Sequence, residues 1–127
     1  MSSIRKDNEV RANVAGTAVG TSIIYTYTIP VDTVVMAEAK VASFDADSVV
    51  AAGSAVFVSM TGARRYGAAA AAQISTNEVI LTKVDNISFG ATALTWLVSG
   101  NDLQLQLATA GGGASAYYTC EILLITN

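Results

Sequence analysis

Ten carboxylates, a single thiol and no histidine bound the chemistry open to this sequence. Without histidine the commonest general base is missing, together with the Ser-His and Cys-His nucleophile pairs and the commonest zinc ligand. One cysteine cannot complete a structural zinc site. Cys120 lies beside Glu121 in the strand-like run 117–125, which predicts a buried, inert thiol; a reactive one would want basic neighbours. Carboxylates alone could pair for glycoside hydrolysis, and Asp45 with Asp47, or Asp102, are the nominees. Asp45 and Asp47 could also lend oxygens to calcium, but no further acidic neighbours accompany them. All three aspartates fall where turns are expected, and Asp favours turns through hydrogen bonds to its own backbone. Gly111-Gly112-Gly113 joins two strand patterns and is not followed by Lys-Ser or Lys-Thr, so it is not a phosphate loop. We therefore expect no enzyme, no cofactor and no metal site.

The remaining reactive types suit contact better than catalysis. Arg64-Arg65-Tyr66 contains the one basic pair beyond the N-terminal segment. It either meets an acidic neighbour or solvates a face, and Arg and Tyr are frequent interface residues. Arg5, Lys6 and Arg11 put three of the seven basic residues in the first eleven positions, and the body beyond carries four basic residues against eight acidic ones. A locally basic arm ahead of an acidic body resembles a docking extension, and a frayed terminus is the plain alternative. Trp96 reads as a core tryptophan, its large area suiting a sandwich interior. Tyr117 and Tyr118 are adjacent, so in a strand they face opposite sides.

The elements that must hold these residues alternate with period two. Leu103, Leu105 and Leu107 interleave with Gln104, Gln106 and Ala108, one dry face and one wet. Ile23, Tyr25, Tyr27 and Ile29 oppose Ile24, Thr26 and Thr28, and Pro30 ends that run because it lacks a ladder donor. Val35, Ala37, Ala39 and Val41 predict the apolar face of a long strand over residues 33–43, before a turn at residues 44–48. Residues 54–60 alternate again, Thr61-Gly62 bends the chain, and residues 63–66 continue as a short strand. Residues 78–84, 87–89, 94–98, 102–108 and 116–125 complete the series. Short strands with a turn every 8–12 residues predict a sandwich or barrel. The alanine tract 68–72 reads as a loop or strand segment, with a single helical turn as the alternative.

At 127 residues the chain forms one domain with enough core to need no staple. We divide it into an arm, residues 1–20, and a β-sandwich, residues 21–127. Charged residues are 13% of the chain, about half the usual share, while 52% are hydrophobic. No apolar run is long enough for a spanning helix, and charges at Arg5, Lys6, Asp7, Glu9 and Arg11 leave no apolar segment for a secretory signal. A net charge of −3 argues against nucleic acid. Few charges and many small residues suit a subunit whose surface is covered by partners.

Three segments carry a family likeness: Met36-Ala37-Glu38-Ala39-Lys40-Val41, Gly62-Ala63-Arg64-Arg65, and the run from Leu94-Thr95-Trp96 to Gly100-Asn101-Asp102-Leu103. With the glycine turn and final strand that follow, they resemble a β-sandwich module of small virion proteins of tailed bacteriophages, found also at the ends of their fibres. Tyr117 or Tyr118 stands where that pattern often has tryptophan, and the alanine tract departs from it. The resemblance implies an all-β, jelly-roll-like antiparallel sandwich and a homo-oligomer, a trimer, located in the virion. A short chain without shaft, heptads or collagen-like repeat looks more like a capsid decoration or cement protein bound to the major capsid protein or another virion protein. The alternative it implies is a fibre tip that grips a host glycan or protein receptor. For either, the partner-contact residues we single out are Arg5, Lys6, Arg11, Arg64, Arg65 and Tyr66.

Overall fold

The computed structural model describes residues 8–46, 54–74, 78–85, 91–109 and 115–127, and these fold as two antiparallel sheets packed face to face. Strands β1 (Glu9–Val19), β3 (Thr33–Asp45), β4 (Ser54–Arg65), β5 (Ala72–Gln73), β6 (Glu78–Asp85) and β9 (Ser115–Thr126) form the larger sheet. Its order is β1-β9-β3-β4, and both β5 and β6 pair with the far side of β4. Strands β2 (Thr21–Thr28), β7 (Ala91–Ser99) and β8 (Asp102–Thr109) form the smaller sheet, in the order β2-β8-β7. The expected all-β antiparallel sandwich is the observed fold.

Between the sheets, size complements size. The larger sheet offers small side chains, among them Ala37, Ala39, Ala55 and Ala63, beside the bulkier Phe57, Ile122 and Leu124, and the smaller sheet fills the remaining space with Trp96, Leu103, Leu105 and Leu107, all buried. Close packing rewards this alternation of large and small across facing layers. Trp96 also places its indole Nε1 3.4 Å from the Ser59 carbonyl oxygen, while Gln73 donates Nε2 to the Trp96 carbonyl at 3.0 Å, tying β5 to the opposite sheet.

Two glycines set the corners. Gly20 alone separates β1 from β2 at a φ of 64°, where the chain leaves one sheet for the other, and its carbonyl accepts from both the backbone N–H and Oγ1 of Thr109. A residue with a Cβ would be strained there. Gly100 at φ 60° begins the two-residue β7–β8 hairpin, the place where a type II′ turn calls for glycine.

Several expectations need correction. Residues 9–19, assigned to the arm, are edge strand β1, paired with β9 from Glu9↔Ile125 to Val19↔Ser115. Its inward positions Val10, Ala12 and Val14 pack on the core, an alternation hidden by small residues and by charges at Glu9 and Arg11. Asp45 belongs to β3, not to a turn, and β4 runs unbroken through Thr61 and Gly62 to Arg65. A bulge between Ile23 and Tyr25 turns Ile23 out beside Gln106, while Tyr25 and Tyr27 face inward beside Leu105 and Leu103. First-with-last pairing (β1·β9) and second-with-penultimate pairing (β2·β8) are the outer wraps of a roll, but β3 pairs with its sequence neighbour β4 instead of continuing the nesting. The strand expected at residues 87–89, the turn at Gly111-Gly112-Gly113, and Arg5, Lys6 and Asp47 lie outside the described residues.

Candidate interaction surface

The outer face of the larger sheet is a grid fixed by its registers. On β3 the even-numbered residues point out, on β1 and β9 the odd, because Val35, Ala37, Ala39 and Val41 are taken by the core. Successive rows across β1-β9-β3-β4 read Glu9–Ile125–Met36–Gly62, then Arg11–Leu123–Glu38–Met60, then Asn13–Glu121–Lys40–Val58. Two more follow, Ala15–Thr119–Ala42–Val56 and Thr17–Tyr117–Phe44–Ser54.

One end of this face is apolar. Val34 and Met36 are about half exposed, and Ile74 lies over Gly62. The backbone N–H of Ile74 donates to the Gly62 carbonyl at 2.9 Å. Beside them edge strand β6 exposes Val79, Ile80 and Leu81 in succession, Ile80 to 58%. A bulge where β6 meets Val58 and Ser59 breaks its alternation. Exposed apolar side chains gathered at one end of a sheet mark an interaction site more often than scattered ones do.

The other end is mixed. Phe44 and Tyr117 stand side by side with ring centroids 5.2 Å apart, tilted by 54°, each 48% exposed. Next to them lies the row of Ala15, Thr119, Ala42 and Val56, with small side chains at Ala15 and Ala42, and beyond it stand Asn13, Glu121 and Lys40. Shallow depressions of about 390 and 240 Å³ meet at Ala42 and Thr119, one bordered by the polar row and the other by the aromatic pair. Lys40 reaches Glu38 at 3.8 Å.

The residues singled out from sequence scatter. Arg11 is exposed on the outer face of β1 and pairs with Glu9 at 3.5 Å. Arg64 is also on the outer face, three strands away, and Tyr66 is 74% exposed. Arg65 points the other way: its guanidinium donates to the Ile29 carbonyl at 2.9 Å, pinning the β2–β3 connection. Tyr117 faces out and the half-buried Tyr118 faces in, over Gly16. Phe44 was missed because it was read as part of a turn; extending the alternation of β3 by one step would have placed it on the outer face.

Cys120 is buried, and burial, reinforced by Glu121, pushes its thiol up to about 12. Asp102 accepts from Thr28 Oγ1 at 2.7 Å. Among the described residues no group of three or more His, Cys, Asp or Glu is placed to hold a metal, and no helix is long and apolar enough to cross a membrane.

No family model and no curated protein matches this sequence. Among solved structures it is similar to the tailspike protein of Acinetobacter baumannii phage AM24, at 13% identity and a TM-score of 0.44, over 93% of this chain and 25% of that one. It is similar to tailspike protein gp49 of A. baumannii bacteriophage Fri1, a capsular polysaccharide depolymerase, at 11% identity and a TM-score of 0.43, over 94% of this chain and 19% of that one. The tailspike of Acinetobacter phage vB_ApiP_P1 follows at 13% identity and a TM-score of 0.34, over 100% of this chain and 22% of that one. The chain thus spans a quarter or less of these neighbours, and a likeness so loose assigns it no activity.

Proposed function

We propose that this chain is a non-enzymatic structural protein of a bacteriophage virion, a capsid decoration protein that binds and stabilises the head shell as a homotrimer. The observation that carries the reading is the uncovered apolar end of the larger sheet, from Val34 and Met36 to Ile74, Ile80 and Leu81. These side chains lie on the outer face of the larger sheet or on its edge strand β6, where sandwich packing leaves them in water. Burying them against copies of the chain or a capsid protein recovers about 25 cal/mol for each Å² covered. The low charge content and the sequence resemblance to phage virion sandwiches point the same way.

The test is sedimentation at micromolar concentration followed by addition to shells that lack the protein. A trimer is expected that decorates such shells, with Met36→Lys and Ile80→Lys each weakening self-association or attachment at least tenfold. A monomer that leaves shells bare, or variants that behave as wild type in both assays, would sink the reading. A second reading, a fibre tip that binds a host-surface glycan or protein, is favoured by one feature, the exposed Phe44–Tyr117 pair.

A further inference from the structure

The geometry points to a binding trough for uncharged oligosaccharides across the outer face of the larger sheet, walled on one side by Phe44 and Tyr117 and on the other by Asn13, Lys40 and Glu121. It deepens the proposed function by giving a virion protein a ligand and a place for it, but it does not depend on the shell as partner.

The floor is Thr119 and Ala42, side chains too short to fill the space between the walls. Lys40 and Phe44 are four residues apart on one strand, so the walls stand ~13 Å apart, and the row between them crosses four strands over ~14 Å. That is room for a short chain of rings, not a single small solute. A pyranose has C–H faces that pack on aromatic rings and a rim of hydroxyls that both donate and accept. This trough supplies the two kinds of partner on opposite walls. Rings half exposed on a sheet face contribute nothing to the core, and aromatic side chains with a polar neighbour are the usual anchors of a wet binding surface. Opposite them Lys40 donates, Glu121 accepts and Asn13 does both.

Other ligand classes fit worse. Among the described side chains around the trough, Lys40 lies beside Glu38 and across from Glu121, so these three groups together are negative and a polyanion such as nucleic acid or an acidic polysaccharide is repelled. An extended peptide cannot add as a strand, because β9 and β3 are interior strands whose ladders are already paired on both sides. Recognition must therefore come from side chains alone, which suits a ligand read by its hydroxyls.

The experiment titrates the intact chain with neutral tetrasaccharides of glucose, mannose, galactose and N-acetylglucosamine, and with heparin fragments as the anionic arm, following Tyr117 by ligand-observed and protein-observed NMR. At least one neutral tetrasaccharide is expected to bind and to perturb Tyr117, Ala42 and Thr119. Tyr117→Ala, Phe44→Ala and the trough-filling Ala42→Arg are each expected to weaken it tenfold or more. Ala42→Arg keeps both walls and sits on an exposed position, and unchanged circular dichroism certifies each fold. Binding of heparin alone, binding that survives all three variants, or no binding across the panel would overturn the trough. None of these outcomes bears on shell attachment, which is read with the same variants and is expected to be unchanged.

Discussion

Single side chains in this protein act mainly through burial, and Cys120 makes that measurable. Its thiol keeps its proton in the folded chain up to about pH 12, whereas the ordinary thiol value is 9.0. Across that window the folded state holds a proton that the unfolded state has released. The contribution is intact below pH 9 and is lost as pH rises toward 12. Burial also raises the phenols of Tyr25 and Tyr118 from 10.0, adding a loss in the same direction at higher pH. Cys120→Ala should therefore delay the alkaline fall in melting temperature, moving its onset from near pH 9 toward pH 10. Coincident alkaline profiles for the two proteins would show that the thiol is not shielded as described. Thiol reagents at neutral pH should label the denatured chain and leave the folded one untouched. At this scale the sequence was readable where neighbours spoke clearly: Glu121 beside Cys120 in an apolar alternation implied an inert thiol. Arg65 was not readable, since its role depends on a carbonyl thirty-six residues away, at Ile29.

Among the elements, β1 carries the largest revision. Its eleven residues pair with β9 throughout, and Val10 and Val14 cover one margin of the core. Removing residues 1–7 should leave circular dichroism and melting unchanged. Removing residues 1–19 strips a full ladder and uncovers β9. We expect a cost of about 3 kcal/mol or more, which at the ~4 °C per kcal/mol typical of this size lowers the melting temperature by ~12 °C. Equal melting temperatures for the two truncations would mean that β1 adds nothing to the sandwich. If the shorter truncation folds but fails to decorate shells, attachment belongs to Arg5, Lys6 and their neighbours. The reason β1 escaped a reading by pattern is physical. The inward positions of β1 alternate valine with alanine, Val10 and Val14 with Ala12 and Ala18, so its pattern is shallow, while Leu103, Leu105 and Leu107 at the centre of the smaller sheet announce themselves. The β2 bulge misleads in another way, because one extra residue shifts Ile23 to the wet face without leaving a turn signal.

For the molecule as a whole, the two sheets were legible from period-two runs and turn spacing, but their unequal widths were not. Which strands pair is decided by long-range contacts such as β1 with β9, and no local pattern encodes them. The outer grid follows from that pairing. It separates an apolar end near Met36 from a mixed end near Ala42 by six residues of strand, ~20 Å.

The pairing of Glu9 with Ile125 also settles how this fold can be wired. The start of β1 and the end of β9 are neighbours, so the polypeptide enters and leaves through one doorway, on the Met36 side of the sheet. Such a module can be spliced into a loop of another protein by a single interruption, or joined end to end and reopened elsewhere. A circular permutant linking residues 8 and 127 by a few glycines and opened in the Gly100-Asn101 hairpin should reach the native circular dichroism spectrum; an unfolded product would mean that this hairpin must be continuous. In any such graft, the doorway faces the carrier and the row of Phe44 and Tyr117 is held at the opposite end.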